Sequence, residues 1–231
     1  MKKERSEKKL WWLFFLTFGF FSAIWFFIFY FINKQINYTK DAVYFGTPLS
    51  AYWAFFLSAI IYGLATWGIY FCIKEGIREK SFKVFRSGVG LVQRLARIPI
   101  LLTLPFLYLG VTNALVIAEE KIIFSTFWNL KQDEYDWTDG VKNVEIDYSI
   151  PIESDSNRRS FNGKYILHFS DGKQIDLWAN TFEGGIDTVQ EIDSFIQTKN
   201  IPFYVRHAPT EDTINKFFTI NADFIRELYS R

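Results

Sequence analysis

The sequence predicts a multi-pass α-helical membrane region followed by a small α+β domain, an antiparallel sheet with C-terminal helices. Three observations carry that expectation. Long uncharged runs occupy the first half of the 231 residues, where most of the 26 Phe and 8 Trp also fall. After Lys121 the runs give way to short alternating segments. The charge divides too: residues 1–118 carry 14 Lys and Arg against 5 Asp and Glu, whereas residues 119–231 carry 12 against 20. The formal net charge of +1 hides this split, and asymmetry between halves is the informative quantity.

Residues 1–9 supply five basic side chains ahead of Leu10–Ile32, which holds 23 uncharged residues. At 1.5 Å per residue such a helix reaches about 35 Å, enough for a hydrocarbon layer of ~30 Å. No small-x-small cleavage site follows, so the segment is expected to be retained rather than removed as a signal peptide. Trp11, Trp12 and Tyr30 stand near its ends, as interfacial anchors do.

Residues 33–47 form a short polar connection with Lys34 and Lys40. Pro48–Ile73 then gives 26 uncharged residues for a second crossing. Within it Gly63, Ala65 and Gly68 are small enough to admit a neighbouring helix closely. Cys72, the single cysteine, excludes a disulfide and fits an apolar filler.

Lys74–Arg97 is the most basic part of the chain, with Lys74, Arg78, Lys80, Lys83, Arg86, Arg94 and Arg97. Phe85, Val89, Val92 and Leu95 recur there at helical spacing. A basic amphipathic helix in contact with anionic lipid is one reading, and a plain cytoplasmic loop is the other. Basic residues number five before the first span, two after it and seven after the second. The positive-inside rule therefore places the N-terminus and the 74–97 segment in the cytoplasm and the 33–47 connection outside.

The third span is either Ile98–Ala118 or a helix ending at Thr112 and lengthened by Arg94–Arg97. Pro99 falls in its expected first turn and Pro105 in its interior. A full crossing puts the C-terminal domain outside the cell, and a re-entrant segment keeps it in the cytoplasm. Crossing is favoured, because irregular backbone is costly in lipid. The expected division is a membrane region at 1–112, with spans near 10–32, 48–73 and 96–112, and a soluble domain at 113–231.

In the soluble half, Ala114–Ala118 and Lys121–Phe127 read as paired strands. Val141–Ile150 alternates at Val144, Ile146 and Tyr148. Residues 154–160 read as a loop and Asn162-Gly163 as a turn. Lys164–Ser170 and Lys173–Trp178 flank Asp171-Gly172, a strong hairpin signal. Ile186, Val189, Ile192, Phe195 and Ile196 form a helical stripe closed by Asn200 and Pro202. Ile201–Val205 is a short strand. Thr210 caps one final helix over 210–229, with Glu211 and Asp212 in its first turn.

Strand-Glu119-Glu120-Lys121-strand, then Tyr135-Asp136-Trp137-Thr138-Asp139 leading into Val141–Ile146, then a Phe-Ser-Asp-Gly hairpin and a helix, resembles the bacterial membrane-anchored pleckstrin-homology-like proteins. The resemblance covers roughly residues 112–200 and the membrane hairpin ahead of them. It implies a PH-like sheet, a role without catalysis, and a bacterial cell membrane as the location. The third hydrophobic segment and the last helix depart from the simplest form of that family.

Catalytic signatures are lacking. His168 and His207 are the only histidines, and no His-x-x-x-His, cysteine pair, calcium loop, P-loop, dinucleotide fingerprint or Gly-x-Ser-x-Gly occurs. No cofactor or metal is expected. Glu183 and Asp187 flank Gly184-Gly185 and would repel an anion there. The excess of acid over base in residues 119–231, with Arg158-Arg159 the sole adjacent basic pair, disfavours phosphoinositide recognition by the soluble domain. Glu119, Glu120, Asp133, Glu134, Asp136 and Asp139 form an acidic rim, and Glu134, Tyr135, Asp136, Trp137 and Asp139 are the candidate partner-binding residues. The expected role is a non-enzymatic interaction or scaffold protein of the cell envelope, with the bilayer and a protein partner, or a second copy, as its contacts, and no nucleic acid. A small transport component, with Thr103, Thr112 and Asn113 as its modest polar candidates, and a membrane-stress or peptide-resistance role are the alternatives.

Overall fold

The computed structural model describes residues 2–125, 127, 128, 131–150, 160–180 and 185–231, with side chains from residue 12 onward. The chain divides into two compact units. One comprises Met1–Asn37, Ser50–Asn113 and Thr126–Leu130; the other comprises Tyr38–Leu49, Ala114–Ser125 and Lys131–Arg231. The loop predicted at 154–160, the Arg158-Arg159 pair and Glu183-Gly184 fall at positions outside the described residues, apart from Ser160.

The helical unit is built from α1 (Lys2–Asn37), α2 (Leu49–Arg78) and α3 (Phe82–Thr112). Each is long and apolar enough to cross a membrane. The basic 74–97 segment is not a loop: it is the end of α2, a tight turn at Glu79–Ser81 and the first half of α3. Ser81 caps α3 by accepting a hydrogen bond from the Val84 amide, and Lys80 enters the turn at φ +49°. Pro99 accordingly lies deep inside a helix rather than in a first turn, as does Pro105.

Small residues set the spacing of these helices. A Cβ at Gly63 would collide with Ser22 of α1, and one at Gly68 would come 3.1 Å from Val92 of α3. Farther along, a Cβ at Gly76 would lie 2.8 Å from Phe85 Cβ, and one at Gly88 would lie 2.7 Å from Cys72 Sγ. Such close approach lets van der Waals contact hold helices together. Side-chain amides add a lock at one end of the bundle. Asn33 Nδ2 donates to the Val111 and Asn113 carbonyls at 2.8 and 3.1 Å, and Asn37 Nδ2 donates to Val111 O at 2.8 Å. These satisfy carbonyls that the C-terminus of α3 leaves open.

The second unit contains two four-stranded sheets. Residues 33–47 are more than a polar connection, because Ala42–Gly46 forms β1. It pairs antiparallel with β2 (Leu115–Ala118), which continues through β3 (Lys121–Phe124) to β4 (Asp133–Asp136) in the order β1-β2-β3-β4. The second sheet holds β5 (Val141–Ser149), β6 (Asn162–Phe169) and β7 (Gln174–Asp176) as an antiparallel meander. The one-turn helix α4 (Leu177–Asn180) and the longer α5 (Gly185–Gln197) follow. β8 (Phe203–Val205) then adds parallel to β5, and α6 (Glu211–Phe217) and α7 (Ala222–Tyr229) complete the chain of elements.

Three local expectations change. Asn162-Gly163 is not a turn but the start of β6, with Gly163 opposite Tyr148. The Trp178 ring lies on Gly163 and occupies the space a side chain would need. The strand expected at 173–178 stops at Asp176, whose Oδ1 accepts hydrogen bonds from the Trp178 and Ala179 amides and so begins α4. The final helix breaks after Phe217, and Phe218 turns inward to meet Phe161 edge-on at 4.7 Å. Thr210 does cap α6, accepting from the Thr213 amide. Asp171-Gly172 does form the β6–β7 hairpin turn, with Gly172 at φ +87°.

One core joins both sheets and the helices, with Leu115, Ile117 and Ile122 from the first sheet and Val144, Ile146, Tyr165 and Leu167 from the second. Ile192, Ile196, Ile225 and Leu228 cover it. Asp193 is buried within this core at 1 % exposure. Arg231 pairs with it through two hydrogen bonds at 2.7 and 2.8 Å, while Tyr165 and Gln197 donate the remaining ones. Removing one partner of a buried pair strands the other charge. Arg231→Ala is therefore expected to lower the unfolding free energy of the full-length protein by about 3 kcal/mol in a denaturant titration. The D193N/R231M double variant, with no stranded charge, should lose much less.

Candidate functional site: an acidic cleft between three turns

Three connections of the β-rich unit converge. Glu119-Glu120 is the β2–β3 turn, Trp137–Gly140 the β4–β5 turn, and residues 198–202 the α5–β8 link. Each is anchored from below. Trp137 Nε1 donates to the Ala118 carbonyl at 2.9 Å, and its ring meets Phe195 edge-on at 5.6 Å. Gly140 N donates to Asp136 O at 2.9 Å and tightens the second turn. Asn200 takes φ +54° to reverse the chain, Ile201 is buried, and Pro202 O accepts from the Val144 amide.

The result is an open cleft of about 890 Å³, bordered by Glu119, Glu120, Asp136 and Asp139, with Lys142 and Lys199 at its edge. All four carboxylates are exposed, and among the described residues none has a Lys, Arg or His partner within 4 Å. Lys199 is held in place at this edge. Its Nζ donates to the backbone O of Glu119 at 2.7 Å and lies 4.6 Å from the centre of the Phe195 ring. A concave surface on which carboxylates outnumber lysines attracts cations, and the charges gain strength where walls exclude water.

The proposed partner-binding residues therefore separate into three groups. Asp136 and Asp139 border the cleft. Tyr135 and Trp137 are 8 % and 6 % exposed and belong to the core beneath the rim, with Trp137 also contributing to the wall of the cleft. Glu134 lies outside the cleft and pairs with Lys121 at 2.7 Å, which raises the Lys121 ammonium above its ordinary value. Asp133 is likewise held, by Lys173 at 2.6 Å. Burial and then Asp171, which accepts the Tyr135 hydroxyl at 2.9 Å, push Tyr135 above its ordinary value. Lys142, Thr198 and Lys199 complete the cleft and were not singled out by the sequence, because only the parallel placement of β8 brings residues 198–202 beside residues 136–142.

The basic candidates lie in the helical unit. Lys74 and Arg78 are on α2, Lys80 is in the turn, and Lys83, Arg86, Arg94 and Arg97 are on α3. Arg78 pairs with Glu75 and Glu79. Thr103 and Thr112 spend their hydroxyls on the carbonyls of Ile100, Tyr108 and Leu109, and Asn113 Nδ2 donates to Ser50 Oγ at 2.7 Å.

Both histidines meet carboxylates on the second sheet. His168 Nε2 lies 3.0 Å from Glu145 Oε2, and His207 Nδ1 lies 2.9 Å from Asp147 Oδ1. Glu145 also takes Arg206, at 3.0 Å. Burial alone would raise the Asp147 carboxyl, but His207, the Tyr148 amide and Lys164 together hold it below the ordinary 3.8. A depressed carboxylate contributes stability that is present above its unfolded value and lost as pH falls through the folded one. Wild-type stability should hold down to about pH 4 and decline below it, with a shallower decline in Asp147→Asn, as followed by tryptophan fluorescence across an acid titration. Comparison of the chain with known protein families, characterised proteins and solved structures finds no match.

Proposed function

We propose that this chain is a three-crossing membrane protein without catalytic activity that presents an acidic recognition cleft on the extracytoplasmic side. The pairing of β1 with β2 carries the reading. β1 precedes α2 and β2 follows α3, so the two strands can share a sheet only if residues 42–46 and 115–118 lie on the same side of the bilayer. Between them α2 and α3 must both cross or both stay out. Their length and composition favour crossing, and α1 then crosses as well. Basic residues at the N-terminus and around the α2–α3 turn orient the set with those ends in the cytoplasm.

The soluble unit fits a PH-like domain in several respects: two antiparallel meanders, β2-β3-β4 and β5-β6-β7, share one core and are followed by a helix. The borrowed strand β1, the parallel strand β8 and the α6–α7 pair are additions to that plan. Four carboxylates against two lysines line the cleft, a net negative balance that favours a cationic segment of an envelope protein over a phosphoinositide as the partner.

Single cysteines at 43, 80 and 139 in a Cys72→Ala background test the arrangement in intact cells. A membrane-impermeant maleimide should label 43 and 139 and spare 80. Labelling of 80 with protection of 139 would reverse the orientation. For the cleft, a photo-crosslinker at position 142 should capture a basic partner. That capture should fall at least tenfold in the D136N/D139N variant, and unchanged capture would remove the cleft from the recognition surface.

A further inference from the structure

The face of α3 turned away from α2 carries a feature the cleft does not explain. At 3.6 residues per turn, Lys83, Arg86, Ser87, Gly90, Arg94 and Arg97 fall within a sector of roughly 100°. Phe85 and Val92, which meet Gly76 and Gly68 of α2, lie on the opposite side of the helix. Helix packing therefore fixes the basic sector outward. Lys83, Arg86, Ser87 and Arg94 are exposed. Among the described residues the ion pairs of this region are those of Arg78, and Lys83, Arg86, Arg94 and Arg97 make none. The 31-residue helix contains no Asp or Glu to neutralise them.

Within that sector the surface is notched. Gly90 has no atom within 4 Å of the position its Cβ would take, and a depression of about 480 Å³ is lined by Lys83, Arg86, Ser87, Gly90, Leu91 and Arg94. Arg86 and Arg94 stand four residues to either side of Gly90, each about 6 Å along the axis. Arginine side chains of that reach can converge over a gap where no side chain intervenes. Guanidinium groups bind phosphate oxygens through paired N–H donors, and the Ser87 hydroxyl offers a further donor. Four residues beyond Arg94 the uncharged run from Ile98 to Thr112 begins, which puts the notch at the level of lipid headgroups.

We propose that this notch is a binding site for the phosphate of an anionic phospholipid, clasped by Arg86 and Arg94 over Gly90, with Lys83 adding charge and Leu91 apolar contact beside the glycerol. The proposal rests on α3 crossing the bilayer, which labelling of positions 80 and 139 from opposite sides tests separately.

Native mass spectrometry of the full-length protein released from neutral detergent provides the test, with phosphatidylglycerol, phosphatidylcholine or inorganic phosphate added. Phosphatidylglycerol should be retained in preference to phosphatidylcholine. Retention should fall at least tenfold in R86Q/R94Q, and equally in Gly90→Leu, which fills the notch without changing charge and favours the helix. The K74Q/R78Q variant, with the same charge loss on α2, should bind as the wild type does. Equal loss in K74Q/R78Q, or undiminished retention in Gly90→Leu, would reduce the effect to diffuse attraction and overturn the site. Displacement of the lipid by equimolar inorganic phosphate would overturn it in favour of a soluble anion.

Discussion

A strand borrowed from the connection between the first two helices is the constraint on which the architecture depends. Ala42–Gly46 completes the first sheet beside β2, and that sheet contributes Leu115, Ile117 and Ile122 to the core. Backbone groups on an edge of β2 would otherwise face solvent unpaired. The covalent path from β1 to β2 runs through α2 and α3, so a single ladder of hydrogen bonds requires the far end of that helix pair to return to the sheet that its near end left. Few local interactions constrain topology in this way.

Charge is handled differently in the two units. In the β-rich unit, acids that become buried are matched one by one: Asp193 with Arg231, Glu145 with His168 and Arg206, Asp147 with His207 and Lys164. At the converging turns four exposed acids, Glu119, Glu120, Asp136 and Asp139, have no Lys, Arg or His within 4 Å among the described residues, and water screens them there. On α3 the balance is inverted, with four cations on one face and no acid anywhere on the helix. A soluble helix so charged would repel itself; beside anionic headgroups it is stabilised.

Much of this was legible in the sequence wherever the signal is local. Apolar length marked the three helices, two-residue alternation marked β5 and β6, Asp171-Gly172 marked the hairpin, and Thr210 marked a helix start. What escaped depends on partners distant in sequence. Ala42–Gly46 is too short and too little alternating to announce a strand, and its partner lies beyond two helices. Trp178 makes Asn162-Gly163 part of a strand, although the dipeptide by itself favours a turn. Phe218 leaves the helical track because Phe161 offers it a better surface. The burial of Trp137 and Tyr135 beneath the rim is likewise invisible in one dimension, because it depends on Phe195 and Phe169, which lie far along the chain.

The borrowed strand also bears on how the protein is made. Gly46 leaves the ribosome 69 residues ahead of Leu115, the residue it will face. At synthesis rates of about 5–20 residues per second, β1 waits roughly 3–14 s for its mate. Throughout that interval an aromatic, open-edged segment lacks its partner strand, and the first sheet cannot close. Biogenesis thus has a vulnerable stage between synthesis of the second helix and emergence of the third, when a holding factor or a misplaced strand from another copy would compete for the same edge.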